Sequence, residues 1–168
     1  PILIVCPASI KWQWEHEIKK TIKERCQILE GRKPKQGNGW LEQYPVTIIN
    51  YDILSYWMTY LISIHPRLLI IDEAHYCAHL NTKRTRAVIK LSRLVPHILA
   101  LSGTPLINRP AELWPVLHCL RPALYPSFMS FAMEFCAPKR IPWGNGWDFR
   151  GASNLHKLHH RLLQTVMT

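Results

Sequence analysis

Short apolar runs that alternate with stretches of helical spacing constrain the fold of this chain more than any other feature. Residues 2–6 (Ile-Leu-Ile-Val-Cys), 46–50, 68–71 and 97–101 are such runs. A run apolar on both faces suits a strand covered on both sides, which is the usual setting of a parallel sheet. Between the runs, Trp14, Ile18 and Ile22 recur every four residues, and Leu113, Leu117 and Leu120 share one helical face. Strand and helix in alternation imply an α/β fold, a parallel sheet wrapped by helices.

Local signals refine this outline. Pro7 ends the first strand, and Ser9 is placed to cap the helix that follows. On that helix Trp12 and Trp14 read as core or half-core positions. Residues 26–29 suit a short strand, and residues 31–39 read as an exposed basic loop with Arg32, Lys33 and Lys35. A helix is expected from about Asp52 and a basic helix over residues 82–94, while Pro110 fits a first helical turn. Beyond Pro122 the pattern changes. Residues 125–135 are aromatic and helical, residues 138–151 form an irregular excursion, and Ser153 caps an amphipathic helix that turns Leu155, Leu158, Leu162 and Val166 inward. We therefore divide the chain into residues 1–122 and a helical extension, residues 123–168.

The chain has 168 residues, 48% of them apolar, with seven tryptophans, which suffices for a sizeable core. No apolar run approaches the roughly 18 residues of a membrane span, so no membrane partner is expected. The chain opens on a buried strand at Pro1 and not on a signal peptide, which reads as the middle of a domain. A net charge of +10 fits a polyanionic partner, or a basic surface kept for solubility. The five cysteines (Cys6, Cys26, Cys77, Cys119, Cys136) are scattered and never spaced as CxxC, which argues for a reducing, intracellular setting.

The chemistry gathers at the ends of two runs. The run at 68–71 ends in Asp72-Glu73-Ala74-His75. Ligands of open parallel sheets sit beyond the carboxyl ends of the strands. Two adjacent carboxylates there suit a metal–nucleotide complex, with Asp72 holding a Mg²⁺ shell and Glu73 orienting or deprotonating the attacking water. The alternative is an acidic pair that caps the following helix. The run at 97–101 ends in Ser102-Gly103-Thr104-Pro105, whose hydroxyls can exchange a hydrogen bond with His75. That segment alone is also an ordinary strand-to-helix turn.

Together these motifs resemble motifs two and three of superfamily-two helicases. The continuation Leu106-Ile107-Asn108-Arg109-Pro110-Ala111-Glu112-Leu113-Trp114 resembles the extended motif three of the Swi/Snf family. Pro7, Ser9, Trp14 and Glu17 match that family's motif Ia, and residues 46–53 with Asn50-Tyr51-Asp52 are similar to motif Ib. Residues 147–167 are similar to the annealing-helicase branch. The resemblance implies a RecA-like first lobe of a double-stranded-DNA translocase that uses ATP and Mg²⁺, pairs with a second RecA-like lobe, and acts on double-stranded or branched DNA. It implies catalytic roles for Asp72 and Glu73, coupling roles for His75, Ser102 and Thr104, and DNA-backbone contacts from Ser9, Asn50 and Tyr51. The expected location is the nucleus of a eukaryote, or the cytoplasm of a bacterium or virus-infected cell.

Two departures limit what this chain does alone. No GxxxxGK[ST] phosphate loop occurs in the sequence, so its amides and lysine must come from elsewhere, and the chain by itself is expected to be inactive. In the strand order the resemblance implies, the phosphate-loop strand lies beside residues 97–101, which its absence leaves as an exposed apolar edge. After the acidic motif, Ala78 and His79 stand where the family has Lys-Asn, although Lys83, Arg84 and Arg86 keep the neighbourhood basic. A strand-separating helicase, a restriction-enzyme motor and a non-catalytic DNA-binding scaffold are the rival readings. His156, His159 and His160 lack nearby cysteine or acidic ligands, and the sequence places Trp143 and Trp147 in a packed satellite cluster in preference to base stacking.

Overall fold

In the computed structural model, the described residues are 1–32, 44–103, 109–143 and 145–166. Five strands form one parallel sheet: β1 (Ile2–Cys6), β2 (Cys26–Ile28), β3 (Val46–Asn50), β4 (Leu68–Asp72) and β5 (His97–Leu101). Their order is β2-β3-β1-β4-β5. Successive side chains of a strand face opposite sides of the sheet, so each apolar run feeds two layers. Leu3, Val5, Leu69 and Ile71 enter one core beneath α2 (Met58–Ser63) and α3 (Lys83–Ser92). Ile4, Cys6, Val46 and Ile48 enter another with Ile18 of α1 (Lys11–Thr21). This two-sided demand is why the runs do not alternate polar with apolar.

A third cluster joins Trp114 and Leu117 of α4 (Trp114–Leu120) to α5 (Phe128–Phe135) and α6 (Leu155–Thr165). A two-stranded antiparallel ladder, β6 (Lys139–Arg140) with β7 (Trp147–Asp148), stands between α5 and α6. Residues 138–151 are thus more regular than the sequence suggests. Among the described residues no helix is long and apolar enough to cross a membrane.

Several local expectations are corrected. Ser9 does not cap α1: it lies inside a 3₁₀ turn, Ala8–Ile10, and the residue before the helix, Ile10, makes no side-chain capping bond. Helix α1 ends at Thr21, so Ile22 lies beyond the packed face and is exposed, as is Trp12. A 3₁₀ turn, Leu54–Tyr56, precedes α2 and delays it. Ser153 does not cap α6. Its hydroxyl donates to the Glu134 carbonyl and accepts from the Ala137 amide, tying the end of α5 to the approach of α6. Asn154, in a left-handed conformation (φ 52°), takes the cap position without a capping bond, and Leu155 is half exposed.

β5 is an edge of the sheet. Its Leu99 is 46% exposed, where Leu3, Val5, Ile48 and Leu69 of the inner strands are fully buried. An apolar edge of this kind favours pairing with another strand.

Candidate nucleotide site at the carboxyl ends of β4 and β5

The parallel register sets the site. Cys6 pairs with Asn50, Val5 with Ile71, and Asp72 with Leu101, so β3, β1, β4 and β5 finish level with one another. Asp72 is therefore the last residue of a strand flanked on both sides, and Glu73 is the first residue clear of the sheet. Glu73 takes a left-handed backbone conformation (φ 51°, ψ 54°), uncommon for a residue with a side chain, and a 3₁₀ turn, Ala74–Cys77, follows at once. Strain of this kind is retained where surrounding bonds over-determine it. Here the Glu73 amide donates to Asp72 Oδ1 at 2.9 Å.

Asp72 is held from three directions. Trp14 of α1 donates its indole N–H to Asp72 Oδ2 at 2.7 Å, and the Tyr51 hydroxyl donates to the Asp72 carbonyl oxygen at 2.6 Å. The Tyr51 ring stacks on Tyr76 at 5.3 Å and 13°, and the Arg84 guanidinium lies 5.5 Å over the Tyr76 ring. Tyr51 is 2% exposed, and burial raises its hydroxyl pKa far above the ordinary value. It stays a neutral donor. The neighbouring Cys6 thiol is pushed up to about 12 by burial, with the Asp72 carboxylate adding to the shift, so it packs as a neutral group.

Glu73 and His75 face each other. The imidazole Nδ1 lies 3.1 Å from Glu73 Oε2 and 3.5 Å from Ser102 Oγ. A charged acceptor at the shorter distance takes the stronger bond. The imidazole is thus engaged with Glu73 first and stands within reach of Ser102 second. A cavity of about 760 Å³ opens here, with Asp72, Glu73, His75 and Ser102 on its polar side and Leu99 and Val116 on its apolar side. Among the described residues, a Cβ built on Gly103 would meet nothing within 4 Å.

The structure brings Asp72, Glu73, His75 and Ser102 together. Thr104 lies outside the described residues. Ser9 is exposed just beyond the carboxyl end of β1, and Asn50 ends the adjacent strand at 7% exposure. Tyr51 turns its hydroxyl inward onto the Asp72 carbonyl. Lys83 and Arg86 of α3 are exposed, while Arg84 is half-buried against Tyr76. The residue that sequence reasoning missed is Trp14 as a partner of Asp72. A half-buried indole needs an acceptor for its N–H, which is a signal that one exists. Nothing local says that the acceptor lies 58 residues away.

An α/β lobe with an acidic pair closing a central parallel strand, and a hydroxyl closing its neighbour, is the architecture of a RecA-like ATPase lobe. The chain belongs to the SNF2-related domain family, whose model matches residues 1–168. It is 34% identical over 175 residues to the bovine (Bos taurus) SWI/SNF-related matrix-associated actin-dependent regulator of chromatin subfamily A-like protein 1, covering 99% of this chain and 17% of that protein. It is 29% identical over 177 residues to the human (Homo sapiens) DNA annealing helicase and endonuclease ZRANB3, covering 99% of this chain and 16% of that protein. The fold matches the Sulfolobus solfataricus SWI2/SNF2 ATPase core in complex with double-stranded DNA with a TM-score of 0.70 and 29% identity, over 82% of this chain and 28% of that one. The chain thus spans about a sixth of the length of the curated relatives it matches.

Proposed function

We propose that this chain is part of the first lobe of an ATP-driven motor that moves along double-stranded DNA, and that it supplies the acidic residues of the nucleotide site. The observation that carries the reading is the acidic pair at the end of β4, with His75 set between Glu73 and Ser102. Each Asp72 carboxylate oxygen accepts one N–H and keeps further acceptor capacity, which fits a hard divalent cation. Among the described residues no group of three or more His, Cys, Asp or Glu gathers as a metal cage. Mg²⁺ takes most of its shell from water and phosphate, so one carboxylate from this chain suffices for it. When bound, Mg²⁺ neutralises charge on the transferring phosphoryl group.

The chain's own residues then divide the work. Asp72, oriented by Trp14 and the Glu73 amide, presents its carboxylate to the metal shell. Glu73, half exposed to the cavity, orients a water or takes its proton. The phosphate loop and the arginine fingers come from other parts of the motor. Ser9 and Asn50 are backbone contacts to duplex DNA, and Tyr51 positions Asp72 instead. We divide the chain at Pro122, with residues 123–168 as an extension of the lobe. The setting is intracellular, the nucleus in a eukaryote. The match to a duplex-bound SWI2/SNF2 core favours duplex tracking over strand separation, and a non-catalytic scaffold would not need the Glu73–His75–Ser102 arrangement.

His75 also couples hydrolysis to movement. When Glu73 turns to a water, His75 can shift its bond to Ser102, which directly follows β5, the strand that precedes α4 in the chain. One neutral hydrogen bond contributes only about 1 kcal/mol, so the lobe remains folded without it. In the full-length motor, His75→Ala is expected to lower displacement of a triplex-forming strand several-fold more than it lowers phosphate release. Equal losses of both activities would remove the coupling role.

A further inference from the structure

The β6–β7 hairpin carries a feature that the nucleotide site does not use. Its rungs pair Lys139 with Asp148 and Arg140 with Trp147, and the Ile141 amide closes the ladder onto the Gly146 carbonyl at 3.1 Å. Trp143 stands beyond the last rung and is 95% exposed. Tryptophan gains more from burial than almost any side chain, so an indole held this far out has its whole ring free for a flat partner. The packed satellite cluster expected from the sequence does not form around it.

The hairpin is built to hold that indole out. Phe149 anchors its base edge-on against Phe128 at 5.5 Å and 83°. At Gly151 a Cβ would come within 2.9 Å of the Cys136 carbonyl oxygen, so the returning strand presses directly on the end of α5. Arg150 grips Asp148 through both carboxylate oxygens at 2.7 to 3.0 Å, and Arg109 is near enough to lower the Asp148 pKa further. Arg109 belongs to the segment that leads from β5 into α4, so the hairpin stands beside the chain that leaves the nucleotide site.

Its charge is one-sided. Residues 139–150 hold Lys139, Arg140 and Arg150 against Asp148 alone, and Asp148 is already paired. The Arg140 guanidinium lies 5.6 Å over the Trp147 ring, a flat cationic pair on the rung of the ladder nearest its tip. An exposed indole on a hairpin with exposed Lys139 and Arg140 is the combination that binds single-stranded nucleic acid, the ring stacking on a base and the cations meeting the phosphates.

We propose that the hairpin is a base-stacking wedge, in which Trp143 stacks on an unpaired base at a duplex–single-strand junction while Lys139 and Arg140 contact the adjoining phosphates. The wedge rests on the DNA-motor reading for its partner but not for its readout, because the binding is measured without nucleotide. The experiment uses the full-length protein that contains this chain. Its affinity is measured for a blunt duplex and for the same duplex with one single-stranded arm, carrying 2-aminopurine at the first unpaired position. Base stacking on an aromatic side chain is worth about 5- to 150-fold in affinity. Trp143→Ala should weaken junction binding by about that factor, abolish the 2-aminopurine quenching, and leave blunt-duplex binding and the thermal midpoint unchanged. Trp143→Phe should keep most of the affinity. Unchanged junction binding and quenching in Trp143→Ala would overturn the wedge and leave the hairpin as a surface for another protein. An equal loss on both DNAs would overturn it too, since a stacking wedge has no unpaired base to meet on a blunt duplex. Failure of the wild-type protein to hydrolyse ATP with duplex present would count against the motor reading alone.

Discussion

In a full-length motor that contains this chain, Glu73→Gln should lower the rate of phosphate release by about 10²–10⁴-fold, the range expected when a general base is removed. ATP affinity should stay within about twofold. The amide is nearly isosteric, so the left-handed turn at Glu73 and its amide bond to Asp72 Oδ1 survive. Asp72 keeps both of its donors, Trp14 and the Glu73 amide, and hence its place toward the metal. What disappears is the charge and the proton acceptor. The 3.1 Å pairing with His75 weakens as well, which frees the imidazole toward Ser102. Binding of a fluorescent ATP analogue, set beside single-turnover phosphate release, separates the two effects. A variant that lost nucleotide binding in step with turnover would make Glu73 a structural acid and return the tetrapeptide to its capping alternative.

The largest effect on folding is expected from Phe135→Ala. Phe135 is fully buried, meets the Phe131 ring at 5.0 Å, and has the Arg161 guanidinium 5.2 Å over its face. It joins α5 to α6 in a cluster that also takes Trp114 and Leu117 from α4. Truncating a buried phenylalanine to alanine costs about 3–5 kcal/mol. Domains are stable by only about 5–15 kcal/mol, so the change should move the urea midpoint sharply or unfold the chain. Because α4 follows directly from the segment after β5, loss of this cluster loosens one wall of the nucleotide cavity as well. A cost below about 1 kcal/mol would mean that α5 and α6 are not part of the same cooperative unit as the sheet.

The sheet was legible because its strands are short, apolar on both faces and interrupted by turn residues. Residues 46–50 and 97–101 are strands with the expected bounds, and 68–71 extends only to Asp72. The exposed edge at β5 followed from strand order. Helix starts were harder to read. Serines at 9 and 153 have the chemistry of caps, but a cap must stand immediately before the first helical residue, and Ile10 and Asn154 hold those positions. At 9 a 3₁₀ turn intervenes, and at 153 the neighbouring end of α5 takes the hydroxyl. Trp12 lies on the face of α1 that the sheet does not cover, and Ile22 is exposed because the helix ends one residue before it.

The site divides along the same line. Asp72, Glu73 and Ser102 are legible because parallel strands finish level, and local sequence marks where each one ends. Trp14 and Tyr51 act on Asp72 across the sheet, and only the placement of β1 between β3 and β4 brings them there. Tyr51, in a motif that suggests DNA, spends its hydroxyl inside the protein for that reason. Trp143 differs in kind: nothing in the sequence distinguishes an indole held out by a two-rung ladder from one folded under a loop.

The central claim is that this lobe belongs to a motor that tracks along duplex DNA. The direct measurement is phosphate release by the full-length protein with duplex DNA, with single-stranded DNA and with neither, while strand separation is followed in the same reaction by a fluorophore–quencher pair. The account predicts strong stimulation by duplex, weak stimulation by single strands and no separation of the strands. Stimulation by single strands equal to that by duplex, accompanied by strand separation, would contradict it.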